Sequence, residues 1–179
     1  QESQKLPWRR EETAFLQNDP SSRWLLDDFP PGVHTRPEGP ADSPIFLMLW
    51  EYHTREVEPT WPPALDPDYP EIALRGLSTM IPALEQYFDK PPRPFLDGGY
   101  YTKTRENRPL IGPLPVEGSW IIGALSGFGL MASMAAGELL ALHMLDKRLP
   151  AYAPALQLSR YEDPGYVADL SKWEHSGQL

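Results

Sequence analysis

Apolar positions in this chain fall in short runs up to about residue 70 and in helical patterns beyond it. Arg23-Trp24-Leu25-Leu26, Gly32-Val33-His34-Thr35 and Pro44-Ile45-Phe46-Leu47-Met48-Leu49-Trp50 read as strands. The last is continuously apolar, as suits a strand covered on both faces. Glu51 to Glu58 alternates loosely and is the expected hairpin neighbour. A helix is predicted from Asp66–Pro70 onward, with Asp68 as N-cap and Pro70 in the first turn. Ala73, Leu77, Met80, Leu84 and Phe88 make its apolar stripe at three-to-four spacing. Pro82 should kink or end that helix.

From Asp97 the pattern changes. Gly98 to Thr104 reads as a strand behind two flexible residues, Arg105 to Pro109 as a turn, and Leu110-Ile111-Gly112-Pro113 as a short extended piece. Trp120 to Leu125 is a second strand. It runs into Gly127-Phe128-Gly129-Leu130-Met131-Ala132, a G-x-G-x-x-A turn that opens a helix from about Leu130 to Asp146. Glycines in such a turn let a ligand approach the backbone, and the free N–H groups of a helix start attract negative charge. A dinucleotide loop also needs a second strand and an acidic residue about 20 positions on. Asp146 has the spacing, but Lys147-Arg148-Leu149-Pro150 follows it and no strand does. A free-standing dinucleotide fold is therefore not expected.

The helix is the more informative part. Between Leu130 and Leu145 only Ser133, Glu138 and His143 are polar. A helix apolar all round belongs in the middle of a large protein. The preceding 95 residues, short-stranded and rich in proline, are poorly suited to covering it, so another element should. The stretch is also long enough to cross a bilayer, but Gly127, Gly129 and Glu138 interrupt it and no membrane span is expected. Glu138 reads as a structural hydrogen-bonding group.

Composition narrows the classes. Proline makes up 22 of 179 residues, about 12% against a typical ~5%. It is interleaved with aromatics, which marks a loop-rich fold and not disorder. A net charge of -9 argues against a nucleic-acid partner. With no cysteine, disulfide and thiolate chemistry is excluded. His34, His53, His143 and His175 lack ligand spacing, and no metal site is expected. Gln1 to Arg10 lacks the apolar core of a signal peptide, so the start reads as an internal cut or a processed end. A soluble protein of cytoplasm or organellar matrix is the expectation.

Three segments together carry a family likeness: Gly98 through Pro113, Ile122-Gly123-Ala124-Leu125-Ser126-Gly127-Phe128-Gly129, and Ala135-Ala136-Gly137-Glu138-Leu139-Leu140-Ala141. This pattern resembles the C-terminal end of FAD-dependent amine and amino-acid oxidoreductases of the D-amino-acid oxidase superfamily, nearest to its sarcosine oxidase and dimethylglycine dehydrogenase branch. The likeness spans about residues 68–165 and is weak before 40. It implies an α+β or α/β fold. A mixed, largely antiparallel substrate-domain sheet would be joined by the last strand and helix of an FAD-binding domain. The nucleotide-binding βαβ unit, with its G-x-G-x-x-G, would lie on a missing segment or companion chain. Residues 1–95 would be a substrate-domain portion, 96–150 the flavin-contacting portion, and 151–179 a tail packed on the body.

The resemblance also implies site residues. Non-covalent FAD would lie beside Gly99, Ser126, Gly127, Phe128, Gly129, Leu130 and Met131, with the turn's N–H groups at the pyrimidine edge. Tyr101 and Phe128 would border the reacting carbon, and Tyr100, Tyr101 and Arg105 the substrate. Gly99 stands where some relatives attach flavin through a cysteine, and Met131 where sarcosine oxidases carry a lysine. The implied reaction removes a hydride from the carbon next to an amine nitrogen, with oxygen or another acceptor. From the residues alone, the turn also fits an ordinary strand-to-helix connection, Tyr100 and Tyr101 fit core packing, and Arg105 and Arg108 fit solvated turn positions. A non-catalytic binding or storage module that keeps the fold without flavin remains the alternative.

Overall fold

The structure is a computed structural model that describes residues 3–172; His175 and the rest of the final stretch, 173–179, lie outside the described residues. The chain divides into two units between Gly98 and Gly99. Each mixes helices with one small antiparallel two-stranded sheet, an α+β arrangement.

In the first unit, β1 (His34–Pro37) pairs with β2 (Phe46–Leu49) in the register His34↔Leu49 to Pro37↔Phe46. Around this hairpin lie α1 (Arg10–Asn18), α2 (Tyr69–Ser78) and 3-10 turns at Arg23–Leu26 and Pro82–Tyr87. The core gathers Leu6, Leu16, Leu25, Phe29, Val33, Trp50 and the inner side of α2. Helix α2 starts where expected, with Asp68 at the N-cap and Pro70 in the first turn. The Asp68 side chain makes no cap bond; Asp66 Oδ1 accepts the Asp68 N–H at 2.9 Å instead. Gly76 lies flat on Trp50, where a Cβ would fall 2.3 Å from the indole.

Arg75 is almost fully buried on α2 and fully matched. It reaches both Glu12 oxygens (2.7 and 3.1 Å), Glu71 Oε1 (2.9 Å) and the Pro7 carbonyl (2.9 Å). Its guanidinium lies between the rings of Trp8 and Phe88, 3.9 and 4.4 Å from their centroids. A buried charge is tolerated when paired and hydrogen-bonded this way.

The second unit is built on β3 (Leu110–Pro113) and β4 (Trp120–Gly123), paired Leu110↔Gly123 to Pro113↔Trp120. Helix α3 (Gly129–Met144) lays Ala136 and Leu139 against Ile111 and Ala153, with Leu140, Leu149 and Leu156 around them. Two 3-10 turns and α4 (Pro164–Leu170) follow. They return to the turn before β3 through a buried pair. Glu106 Oε1 accepts from Arg160 Nε and Nη2 (2.9 and 2.7 Å) and from the hydroxyls of Tyr161 and Tyr166 (2.9 and 2.8 Å).

Several expectations are corrected. Arg23–Leu26 is a 3-10 turn, because the Asp19 carboxylate collects Ser21 and Ser22 donors and coils the chain just before it. Residues 51–58 form no strand. The Trp50 N–H goes to the Tyr69 hydroxyl at 2.7 Å, which takes the chain off the ladder. The apolar run Pro44–Trp50 is not covered on both faces, since Ile45, just before β2, and Phe46, its first residue, are exposed. Residues 98–104 are irregular, with no strand beside them to supply a ladder. The stripe from Ala73 to Phe88 is broken: α2 ends at Ser78, and Pro82 starts a separate 3-10 turn. Among the described residues, only Ala136 and Leu139 of helix α3 are buried, and Glu138, expected to be a structural hydrogen-bonding group, is exposed and makes no hydrogen bond. The segment Ser126–Met144 has the length and composition of a membrane-crossing helix, and only 11% of it is buried.

Candidate functional site

Strand β4 ends at Gly123, and within three residues the backbone twice enters the left-handed region, at Ala124 (φ 53) and Ser126 (φ 53). Neither is glycine, so each position stores on the order of 1–3 kcal/mol of strain. The turn is held by Ser126 N–H donating to the Thr102 carbonyl (3.2 Å) and Phe128 N–H to the Leu125 carbonyl (3.0 Å). The first of these bonds brings the segment around Tyr100 and Tyr101 to the glycine turn. A 3-10 turn, Ser126–Phe128, then leads into α3.

The start of α3 has no side-chain cap and no acidic residue in its first turn. The positive end of its dipole thus meets no carboxylate from its own first turn, and backbone donors at such a start favour an anionic or electron-rich edge. Ser126 Oγ is buried and has no hydrogen-bond partner. Around the turn, large side chains stand in solvent: Phe128 42%, Leu130 91% and Met131 72% exposed, with Tyr100 at 43% and Tyr101 at 48%. Lys103 Nζ lies 5.4 Å from the Tyr101 ring centroid. Arg105 is exposed. A Cβ at Gly99 would meet nothing within 4 Å.

The structure thus joins all three segments singled out in the sequence: Leu110 and Ile111 pair with Gly123 and Ile122, Ala136 and Leu139 pack on Ile111, and Thr102 meets the turn at Ser126. The surface has the chemistry for a flat, largely apolar ring: exposed aromatic and aliphatic groups and an open helix start, with the buried, unpaired Ser126 hydroxyl inside the turn.

Two polar clusters had no sequence signal beyond residue type. One is Glu106 with Arg160, Tyr161 and Tyr166, where partners are separated by up to 60 positions. Burial pushes the Glu106 carboxyl up, but bonds from its own backbone, Tyr166, Arg160 and Tyr161 outweigh that and hold it at about 2. The other is in the first unit, where Asp66 Oδ2 accepts from Tyr52 Oη (2.8 Å) and His53 Nε2 (2.7 Å). Burial raises the Asp66 carboxyl; donors from His53, the Asp68 backbone and Tyr52 lower it below its usual range. The described residues contain no group of three or more His, Asp or Glu that could hold a metal. Comparison with protein-family models, curated proteins and solved structures finds no match for this chain.

Proposed function

We propose that this chain supplies a substrate-domain portion and the C-terminal flavin-contacting portion of an FAD-dependent oxidoreductase acting on an amine or amino acid. A companion segment or chain would bring the nucleotide-binding βαβ unit. The observation that carries the reading is the uncapped, acid-free start of α3, reached through two strained non-glycine residues, one of which, Ser126, keeps a buried and unpaired hydroxyl. Strain of this kind concentrates at ligand sites.

When bound, the flavin would take a hydride from the carbon next to the amine nitrogen, leaving an imine for water to hydrolyse. The chain's own part is electrostatic and positional. Backbone donors at Gly127, Gly129 and Leu130 would favour negative charge on the ring's pyrimidine edge by roughly 0.3–2 kcal/mol, while the Phe128 N–H is held by the Leu125 carbonyl. Tyr101 and Phe128 would wall the reacting carbon, Tyr100 would flank it, and Arg105 would take a substrate carboxylate through charge-assisted hydrogen bonds. No side chain is needed as a base if the amine binds neutral.

The test is spectroscopic. The native polypeptide, or the complex that contains it, should be yellow with the visible band of oxidised flavin. Anaerobic addition of amines and amino acids in turn should bleach that band with one of them. Native material that is colourless and stays colourless after incubation with FAD refutes the reading and favours the non-catalytic module.

A further inference from the structure

The first unit ends on Leu96-Asp97-Gly98. No other aspartate or asparagine of the chain precedes a glycine. The Gly98 N–H donates to Asp97 Oδ1 at 2.8 Å. That bond folds the carboxyl back onto the next main-chain nitrogen, from which closure on the carboxyl carbon makes a five-membered ring. Holding two reacting groups together in this way turns an encounter into an internal step.

Little restrains the pair otherwise. Both residues are exposed, in the irregular stretch 91–104. Among the described residues no cation pairs with Asp97. Gly98 has no side chain to crowd its nitrogen, and the nearest atom to a Cβ placed there is the tip of Leu65, at 2.9 Å. Other aspartates differ at one of these points. Asp19, Asp66 and Asp163 precede proline, which has no N–H to lose. Asp42 precedes Ser43, whose N–H is taken by the Pro40 carbonyl at 2.9 Å.

We infer that Asp97-Gly98 is a self-modification site, where the aspartyl linkage converts to isoaspartyl through a cyclic imide. The Gly98 nitrogen gives up its proton and bonds to Asp97 Cγ, and the carboxyl OH leaves with that proton as water. Water then adds to one of the two imide carbonyls. Addition at Cγ restores Asp97. Addition at the main-chain carbonyl breaks its bond to the Gly98 nitrogen, and the chain then runs through Cβ and Cγ. The product is an isomer of equal mass, one methylene longer in its main chain, with the α-carboxylate left as a branch. Water is the sole co-reactant, and the branch is the group that an isoaspartate-specific methyltransferase esterifies. The reaction goes beyond the proposed function and needs no flavin.

The experiment ages the native polypeptide, or the complex that contains it, at body temperature in mildly acidic buffer made with heavy-oxygen water. A parallel sample ages in urea. Peptide mapping with endoproteinase Asp-N, which does not cut before isoaspartate, and methyl transfer from labelled S-adenosylmethionine locate and count the product. Isoaspartate should accumulate at position 97 ahead of every other aspartate and carry one heavy oxygen. Its rate in the native protein should equal or exceed that in urea, because the fold holds the ring-closing arrangement open to water. Gly98→Ala, whose methyl meets only the flexible tip of Leu65, should slow it about tenfold or more with an unchanged circular dichroism spectrum. Asp97→Glu, which keeps the charge, should lower the total methyl count to that of the remaining chain. A native rate below the urea rate overturns the inference. So does product mainly at another aspartate, product without heavy oxygen, an unchanged rate in Gly98→Ala, or an unchanged count in Asp97→Glu.

Discussion

Replacing Glu106 by Gln removes one charge and leaves the shape. The Glu106 side chain is fully buried, Arg160 is 2% exposed, and a single carboxylate oxygen collects four donors from three residues. In Glu106→Gln the guanidinium of Arg160 keeps neutral acceptors, the carbonyls of Pro109 and Arg108 at 2.9 and 3.0 Å, but loses its counter-ion. Stranding a buried charge costs about 3–5 kcal/mol. The carboxyl gives a separate figure. Lowered from 4.5 to about 2 in the folded state, it contributes about 3 kcal/mol at neutral pH. The two routes agree within their precision. The sign follows from the depressed value: this stability is complete above the unfolded carboxyl's pKa, near 4.5, and is lost as pH falls from there toward 2. Urea unfolding followed by far-UV circular dichroism between pH 2 and 7 reads both effects. The variant should lose about 3 kcal/mol at pH 7, and its deficit against wild type should shrink through the acid window. A loss below 1 kcal/mol at pH 7, or a deficit constant across that window, would refute the electrostatic account of the pair.

Other residues give sharper or cheaper tests. Gly76→Ala pushes a methyl into the Trp50 indole, and α2 must shift; a fall of about 1–3 kcal/mol in unfolding free energy should accompany a changed Trp fluorescence spectrum. Arg75→Lys keeps the charge but cannot span both Glu12 oxygens and Glu71 while stacking on Trp8 and Phe88, so chemical denaturation should show a loss of at least about 1.5 kcal/mol. Ser126→Gly relieves a left-handed position and removes an unpaired hydroxyl; the unfolding midpoint should hold or rise while flavin, if bound, dissociates more readily in equilibrium dialysis. A lowered midpoint with unchanged flavin retention would show Ser126 to be structural.

What the sequence made legible was local. Asp68-Tyr69-Pro70 announced the start of α2, Leu110–Pro113 and Trp120–Gly123 announced the hairpin, and Gly127–Met131 announced the turn into α3. Each depends on neighbours within a few positions. What stayed hidden depends on distant partners. Nothing around Arg23 says that Asp19 will coil the chain, and nothing around Trp50 says that the Tyr69 hydroxyl will take its N–H. Tyr100 and Tyr101 have strand composition, but a strand needs a neighbour, and the backbone contact at this segment is Thr102 with the turn at Ser126. The candidate site was legible as a turn and a helix start. Its strain, the orphan hydroxyl and the nearness of Thr102 were not, because backbone angles and unmet hydrogen bonds leave no mark in residue type.

The Glu106 cluster also imposes a timetable on synthesis. The bonds that hold the first unit, such as Arg75 to Glu12 and Arg9 to Asp89, involve residues that have all been synthesised once position 98 is made. Glu106 then emerges without its cation and must wait for Arg160 and Tyr166, some 60 residues later. At ~5–20 residues per second that interval lasts several seconds. During it, the β3–β4 hairpin and an apolar helix exist with their closing clasp still unmade, so the nascent second unit is the stretch a chaperone would be expected to hold.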